Sequence, residues 1–366
     1  MKTLLKRLIV LALAASVPAQ ALGVATGGAV AGQRASGVRP PQSAAQAAAT
    51  TRAKPRPAPA RWRGLIGEYG PDGGILYILE KDGRLYARLK GGKPTPLTEV
   101  SHNIFQAPVE GPGRRVAFTR DARGRATRVA LGLVLYERRQ IEPEEGANQL
   151  RVTPLRPVPE LLREAREASP PEERGEFRPT DLVELTKLDP TIKLEIRYAT
   201  TNNLFGTVFY SEPRAFLQRP AAESLVRAGR RLKRLGYGLL VHDAYRPWFV
   251  TKVFWDAAPD DKKKFVADPA QGSRHNRGCA VDLTLYDLKT GRPVEMVSTY
   301  DETTDRASPD YPGGTSLQRW HRDLLRAAME AEGFKVFEGE WWHFDYKDWK
   351  LYRIGNVPFD QIGGGQ

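Results

Sequence analysis

Three short segments hold side chains whose types and spacing can do chemistry. In Ser273-Arg274-His275-Asn276-Arg277-Gly278-Cys279-Ala280-Val281-Asp282, an imidazole sits in a polar, glycine-containing turn, and a carboxylate follows inside the apolar run Ala280 to Leu285. A carboxylate among Val281, Leu283 and Leu285 is costly to bury unless it is paired or bound to a cation. A metal would satisfy it and recruit His275. Taken alone, the pair also fits a partly exposed strand with Asp282 facing water. Glu340-Trp341-Trp342-His343 adds a second imidazole and a second carboxylate at a strand start. Residues three apart on a regular strand face opposite sides. Glu340 and His343 therefore converge only if Glu340 lies in the loop after Gly339 or the strand is kinked. The plain alternative is an aromatic core strand with a satisfied histidine. In Asp243-Ala244-Tyr245-Arg246-Pro247, a guanidinium stands at a strand-to-helix junction with an acid to hold it. A surface ion pair would read the same way.

Together the segments supply two histidines, one aspartate and a free glutamate. Three ligands with an open fourth position is the pattern of catalytic zinc, an ion that lowers the pKa of its bound water to about 7. Glu340 is suited to take a proton from that water and pass it to a leaving amine. Arg246, steadied by Asp243, is suited to face a developing oxyanion. His321, beside Arg322 and Asp323 in a helical stretch, is expected to be exposed. His242 has no ligand spacing, and His102 has no ligand partners near it in sequence.

The elements that must position these groups alternate irregularly. Helical periodicity spans Ala221 to Leu235, Trp248 to Trp255 and Ser316 to Ala331. Strands are expected at Gly238 to Val241, Ala280 to Tyr286, Phe334 to Phe337 and Trp341 to Tyr346. No regular strand–helix–strand repeat runs through this half, so α+β is the class. Upstream, Trp62 to about Val152 reads as a small all-β domain. Ile75 to Leu79 and Leu85 to Leu89 flank an Asp82-Gly83 hairpin turn, and Val116 to Thr119 and Val129 to Tyr136 repeat the theme. The expected organisation is a signal peptide over 1–21, a disordered linker over 22–60, the β-rich domain over 61–152, a linker with a short helix from Pro159 to Ala168 over 153–179, the catalytic domain over 180–356 and a flexible tail over 357–366.

Lys2, Lys6 and Arg7 precede the apolar run Leu8 to Val17, and Ala19-Gln20-Ala21 fits a cleavage site. That run is short for a bilayer span, so a cleaved secretory signal is the reading and the chain is expected to be exported, periplasmic or secreted, with no membrane span after cleavage. The formal net charge is +13. The basic residues are scattered and not interleaved with aromatics, which argues against nucleic acid and leaves a bias toward anionic partners such as cell-wall polymers. A single cysteine, Cys279, excludes an intrachain disulfide.

The ordered segments Asp-x-Tyr-Arg-Pro, Ser-x-His-x-x-Gly-x-Ala-x-Asp and Glu-Trp-Trp-His resemble those of the zinc D-alanyl-D-alanine dipeptidases, which include the vancomycin-resistance dipeptidases. Arg197-Tyr198-Ala199-Thr200-Thr201-Asn202-Asn203-Leu204-Phe205-Gly206, followed by Tyr210, resembles a further segment of the family with one residue inserted before Phe205. The likeness covers about residues 180–356. It implies the α+β fold shared with D,D-carboxypeptidases (the hedgehog/D,D-peptidase-like fold) and one zinc ion per catalytic domain. It also implies His275, Asp282 and His343 as ligands, Glu340 as general base and acid, and Arg246 as transition-state stabiliser. Ser273, Tyr198 and Tyr210 match positions that line the family's small dipeptide pocket. The implied activity is hydrolysis of D-alanyl-D-alanine in wall-peptide turnover. The alternatives are a D,D-carboxypeptidase acting on peptidoglycan stems and a noncatalytic wall-binding protein. The β-rich stretch loosely resembles small β-barrel-like domains appended to penicillin-binding-type hydrolases, through Trp62, the Asp82-Gly83 hairpin and Tyr136 to Arg138. Three roles are open for it: binding a wall polymer (a contact the basic surface could also make), shielding the site or acting only as a spacer.

Overall fold

Alternation of apolar and polar residues drives the first eight strands into one antiparallel meander. In the computed structural model, which describes residues 53–108, 115–141 and 151–363, these are β1 (Gly67–Tyr69), β2 (Leu76–Lys81), β3 (Arg84–Leu89), β4 (Thr95–Ser101), β5 (Ile104–Gln106), β6 (Arg115–Arg120), β7 (Ala126–Leu131) and β8 (Val134–Glu137). Each pairs with the next. A bridge between Tyr69 and Arg138 brings β8 back to β1, so the meander closes into a barrel. Asp82 and Gly83 both take positive φ, 51° and 77°, as a two-residue hairpin turn requires. The run expected as one strand from Val129 to Tyr136 is two strands, because Gly132 turns left-handed with φ 62°.

Strand β2 is buried on both faces. Leu76 and Ile78 point into the barrel core with Leu65, Phe105 and Val116. Ile75, Tyr77 and Leu79 join the core of the following half. Polar contacts fix the same junction. Ser316 N donates to Glu80 Oε2 at 2.8 Å, Arg319 Nη2 donates to the Glu80 carbonyl at 2.6 Å, and Tyr311 Oη donates to Glu68 Oε1 at 2.8 Å.

The second half is built on a five-stranded mixed sheet in the order β10-β12-β13-β15-β14. Its strands are β10 (Lys193–Leu194), β12 (Tyr237–Asp243), β13 (Ala280–Asp287), β14 (Phe334–Phe337) and β15 (Glu340–Tyr346). A small two-stranded sheet joins β9 (Leu182–Glu184) and β11 (Phe216–Gln218). Among the described residues, the helices of ten residues or more are α1 (Val158–Glu167), α2 (Arg219–Lys233), α3 (Trp248–Ala257) and α4 (Ser316–Glu330). The stretch expected as a linker thus carries α1, which buries Val158, Leu161 and Ala165. Helix α4 opens on a capping box between Thr315 and Gln318. This is the mixed α and β architecture expected of the second half. The stretch expected as a tail packs inward through Phe359 and Ile362, because Phe359 fills the gap between Tyr210, Phe216 and Tyr245. Among the described residues, no helix is long and apolar enough to cross a membrane. The segment expected as a signal lies outside them.

Candidate metal centre

Two irregularities in the sheet bring the chemistry together. Strand β12 pairs with β13 in register from Tyr237 to Val241, then shifts by one residue so that Asp243 faces Asp282. The extra residue is His242. Such a bulge re-aims the side chains beyond it. On its other side Asp282 pairs directly with His343 of β15. Asp243, Asp282 and His343 therefore form a row across three strands. The second shift lies in the β14–β15 hairpin, where Val336 pairs with Phe344 but Phe337 pairs with Glu340. That slack brings Glu340 round to His343, its Oε2 lying 3.9 Å from His343 Nδ1. The strand is irregular at the point where the two side chains need it to be.

His275 reaches the row from the turn before β13. Asn276 pins this turn: it accepts from Ser273 N at 2.7 Å, and its amide donates to Arg246 O at 2.8 Å and to Thr251 Oγ1 at 2.9 Å. Gly278 ends the turn at φ 65°, where a Cβ would lie 2.6 Å from Leu182. His275 Nδ1 lies 2.7 Å from the carbonyl of Ala244. That contact makes Nδ1 the protonated nitrogen and leaves Nε2 facing the row.

Among the described residues, His275, Asp282 and His343 are the one group of at least three such side chains whose donor atoms all lie within 4.8 Å of one another. His275 Nε2 is 3.2 Å from His343 Nδ1, His343 Nδ1 is 2.9 Å from Asp282 Oδ1, and His275 Nε2 is 3.4 Å from Asp282 Oδ1. A tetrahedral ion with bonds of ~2.0–2.1 Å spaces its donor atoms by about 3.3 Å. The triangle and its two-nitrogen, one-oxygen donor set fit zinc. Burial disfavours charge on Asp282, but His275 and His343 hold its carboxyl well below the usual range. Burial likewise opposes the His343 cation, but Asp282 and Asp345 outweigh it and lift the imidazole to about 10.

Glu340 stands beside the triangle with 39% of its side chain accessible. Burial of the remainder pushes its carboxyl upward; His343 pulls it down and Asp282 pushes it up again. Asp243, fully buried, organises the neighbouring wall. Its Oδ2 accepts from Arg246 Nε at 3.0 Å and Nη2 at 2.6 Å, and its Oδ1 accepts from Tyr210 Oη at 2.8 Å and Ala244 N at 2.9 Å. The Arg246 guanidinium lies 5.0 Å from the ring centres of both Tyr198 and Phe254. Tyr198 and Tyr210 are thus buried behind Arg246. Ser273 Oγ accepts from His275 N at 3.2 Å, which supports the ligand turn.

Asp301 was not reached from the sequence. It takes φ 61°, and its Oδ2 is buried without a hydrogen-bond partner among the described residues. Burial, then the nearby Asp282 and Glu340 carboxylates, push its pKa well up. The acidic run Tyr300-Asp301-Glu302 was the one available signal. His321, expected to be exposed, is instead 5% exposed. It lies against Tyr237 Oη and the Glu295 carbonyl, on the helix face that also buries Leu324, Leu325 and Ala328. The Cys279 thiol is buried, and burial pushes it up to about 12, so it sits in the core as a small apolar group.

Residues 178–358 match the family described as D-ala-D-ala dipeptidase. The chain is 34% identical over 166 residues to a D-alanyl-D-alanine dipeptidase of Escherichia coli, covering 45% of this chain and 84% of the relative. The chain belongs to this peptidase family. Proteins of the same name from Enterococcus faecalis and Streptomyces coelicolor are 33% and 32% identical, covering 43% and 46% of this chain and 87% and 92% of the relatives. The matched span holds both sheet irregularities and every residue of the site. The barrel lies before it.

Proposed function

We propose that this peptidase hydrolyses free D-alanyl-D-alanine, using one zinc ion held by His275, Asp282 and His343. The donor triangle beside a solvent-reached carboxylate carries the reading. When bound, zinc would supply a Lewis acid for the scissile carbonyl and make water acidic enough to ionise near pH about 7. Glu340 takes a proton from water and returns it to the nitrogen of the leaving D-alanine. Burial pushes its carboxyl upward, the direction that raises its affinity for a proton it must carry. Arg246, locked by Asp243, donates to the oxygen on which negative charge develops.

The unpartnered Oδ2 of Asp301 favours a substrate with a free ammonium group. Burial and two neighbouring carboxylates push this carboxyl's pKa well up; an ammonium placed against the unpartnered oxygen favours its charged form. A stem peptide carries an amide at that point and leaves the acid unmatched. Sites with buried polar groups reject substrates that fail to pair with them, so the free dipeptide is preferred over carboxypeptidase substrates. Ser273 supports the turn that carries His275, while Tyr198 backs the Arg246 guanidinium and Tyr210 donates to Asp243.

The physiological setting we propose is turnover of wall peptides by an exported, periplasmic or secreted enzyme. A cleft of about 1380 Å³ lies between the barrel and the mixed sheet, lined by Arg63, Arg123 and Arg197 among others. It supports contact with an anionic wall polymer. The functional reading is tested by metal content and D-alanine release from the full chain. One zinc per chain with release from the dipeptide supports it, and zinc-loaded protein that releases nothing refutes it. Mature protein found in the cytoplasm would refute the setting.

A further inference from the structure

Two residues of the triangle, Asp282 and His343, each lean on another side chain. Asp282 offers Oδ1 to the triangle, while its Oδ2 accepts from Tyr300 Oη at 3.0 Å. Tyr300 is 6% exposed, and its ring is held between His242 at 4.7 Å and Trp342 at 5.6 Å. Nearby, Trp341 Nε1 donates to Ser298 Oγ at 2.8 Å and ties down the segment that leads into Tyr300. The hydroxyl is therefore fixed.

His343 and Asp345 are two apart on β15, so they share a face. Asp345 pairs across the sheet with Ala280, whose small side chain leaves it room. His343 Nε2 lies 3.0 Å from Asp345 Oδ1, and Arg274 Nε lies 3.3 Å from Asp345 Oδ2. The carboxylate accepts a hydrogen bond from Nε2–H and leaves Nδ1 to the metal. His275 gets the equivalent support from a backbone carbonyl, which no side-chain substitution removes.

We infer that Tyr300 and Asp345 are positioning residues of the metal centre: Tyr300 fixes which oxygen Asp282 offers, and Asp345 fixes which nitrogen His343 offers. This rests on the metal reading proposed above. Outer partners of this kind orient the ligand, set its tautomer and raise its basicity, and removing one costs about 10–100-fold in metal affinity.

The test is zinc affinity of the metal-stripped full chain, by competition with a chromogenic chelator at neutral pH, for wild type, Tyr300→Phe and Asp345→Asn. Tyr300→Phe keeps the ring packing and removes the hydroxyl alone. Each variant is expected to bind one zinc with about 10–100-fold lower affinity and an unchanged circular dichroism spectrum. Variants that bind as tightly as wild type overturn the inference and leave the metal reading intact. A wild type that takes up no zinc overturns the metal reading itself. A measurement without variants covers the case in which Asp345→Asn fails to fold. Long-range proton–nitrogen correlation on the zinc-loaded wild type should show His343 protonated at Nε2 and metal-shifted at Nδ1; the reverse assignment refutes the role of Asp345.

Discussion

Replacing Asp243 by asparagine keeps the shape of a fully buried side chain and removes its charge. The wild-type carboxylate accepts four hydrogen bonds, two from Arg246 on one oxygen and one each from Tyr210 and Ala244 on the other. An amide has one oxygen to offer. Aimed at Arg246, it turns its NH2 toward Tyr210 and Ala244. The Tyr210 hydroxyl can rotate to accept, but the Ala244 N–H loses its partner. Arg246, 8% exposed, keeps its hydrogen bonds and loses its counter-ion. Breaking one side of a buried pair costs about 3–5 kcal/mol, and the retained bonds put this variant near the lower end. Arg246 then loses its fixed aim, and losing one oxyanion donor costs ~10²–10³ in kcat. Urea unfolding of the metal-free protein and dipeptide turnover of the zinc-loaded protein read the two effects. A stability loss under about 1 kcal/mol with near-wild-type kcat would refute the claim that Asp243 organises this wall.

Glu340→Gln should retain zinc and fold while kcat falls by about 10²–10⁴-fold, as read by D-alanine release. Asp301→Asn should raise KM for the free dipeptide more than it lowers kcat; an unchanged KM argues against an ammonium contact. The metal-free protein should lose stability as pH rises from about 6.5 through the His343 value of about 10, because a raised histidine stabilises fully only below its unfolded pKa. The depressed Asp282 carboxyl should cost stability at the acid end, as pH falls below about 4 toward its folded pKa. Chemical denaturation across pH checks both arms. Zinc binding at neutral pH should release a proton, since the ligand nitrogen of His343 must be bare; calorimetry in buffers of different ionisation enthalpy counts it. Arg63→Ala combined with Arg123→Ala should weaken salt-sensitive co-sedimentation with purified cell wall and leave dipeptide turnover unchanged.

The residues of the triangle are legible as a set through the order of their segments and the family resemblance, since each segment alone also fits a plain structural role. Asp282 interrupts an apolar strand, and His343 follows a Glu-Trp-Trp run. The need for a kink between Glu340 and His343 was also legible, since alternation along a strand leaves no other way to join them. What produces the kink was not, because a register shift depends on pairing with β14, which sequence does not state. The same holds for the bulge at His242 that turns Asp243 toward Asp282. Asp301 escaped notice because its importance rests on a left-handed backbone angle and on a missing partner, both properties of the folded surroundings. The charged neighbours of His321 in sequence suggest exposure, but Leu317, Leu324, Leu325 and Ala328 fall on its side of a 3.6-residue period and carry it inward. In the barrel, Asp82-Gly83 fixed one hairpin. Short strands such as Gly67–Tyr69 and Ile104–Gln106 carry too few residues for alternation to mark them.

The most direct measurement compares D-alanine release by the zinc-loaded full chain from free D-alanyl-D-alanine and from a stem pentapeptide ending in the same pair, with Glu340→Gln as control. Release is expected from the dipeptide alone, and is lost in the variant. Release from the pentapeptide at a similar rate would contradict the ammonium-matched pocket, and release from neither would contradict the assignment of D-alanyl-D-alanine as substrate.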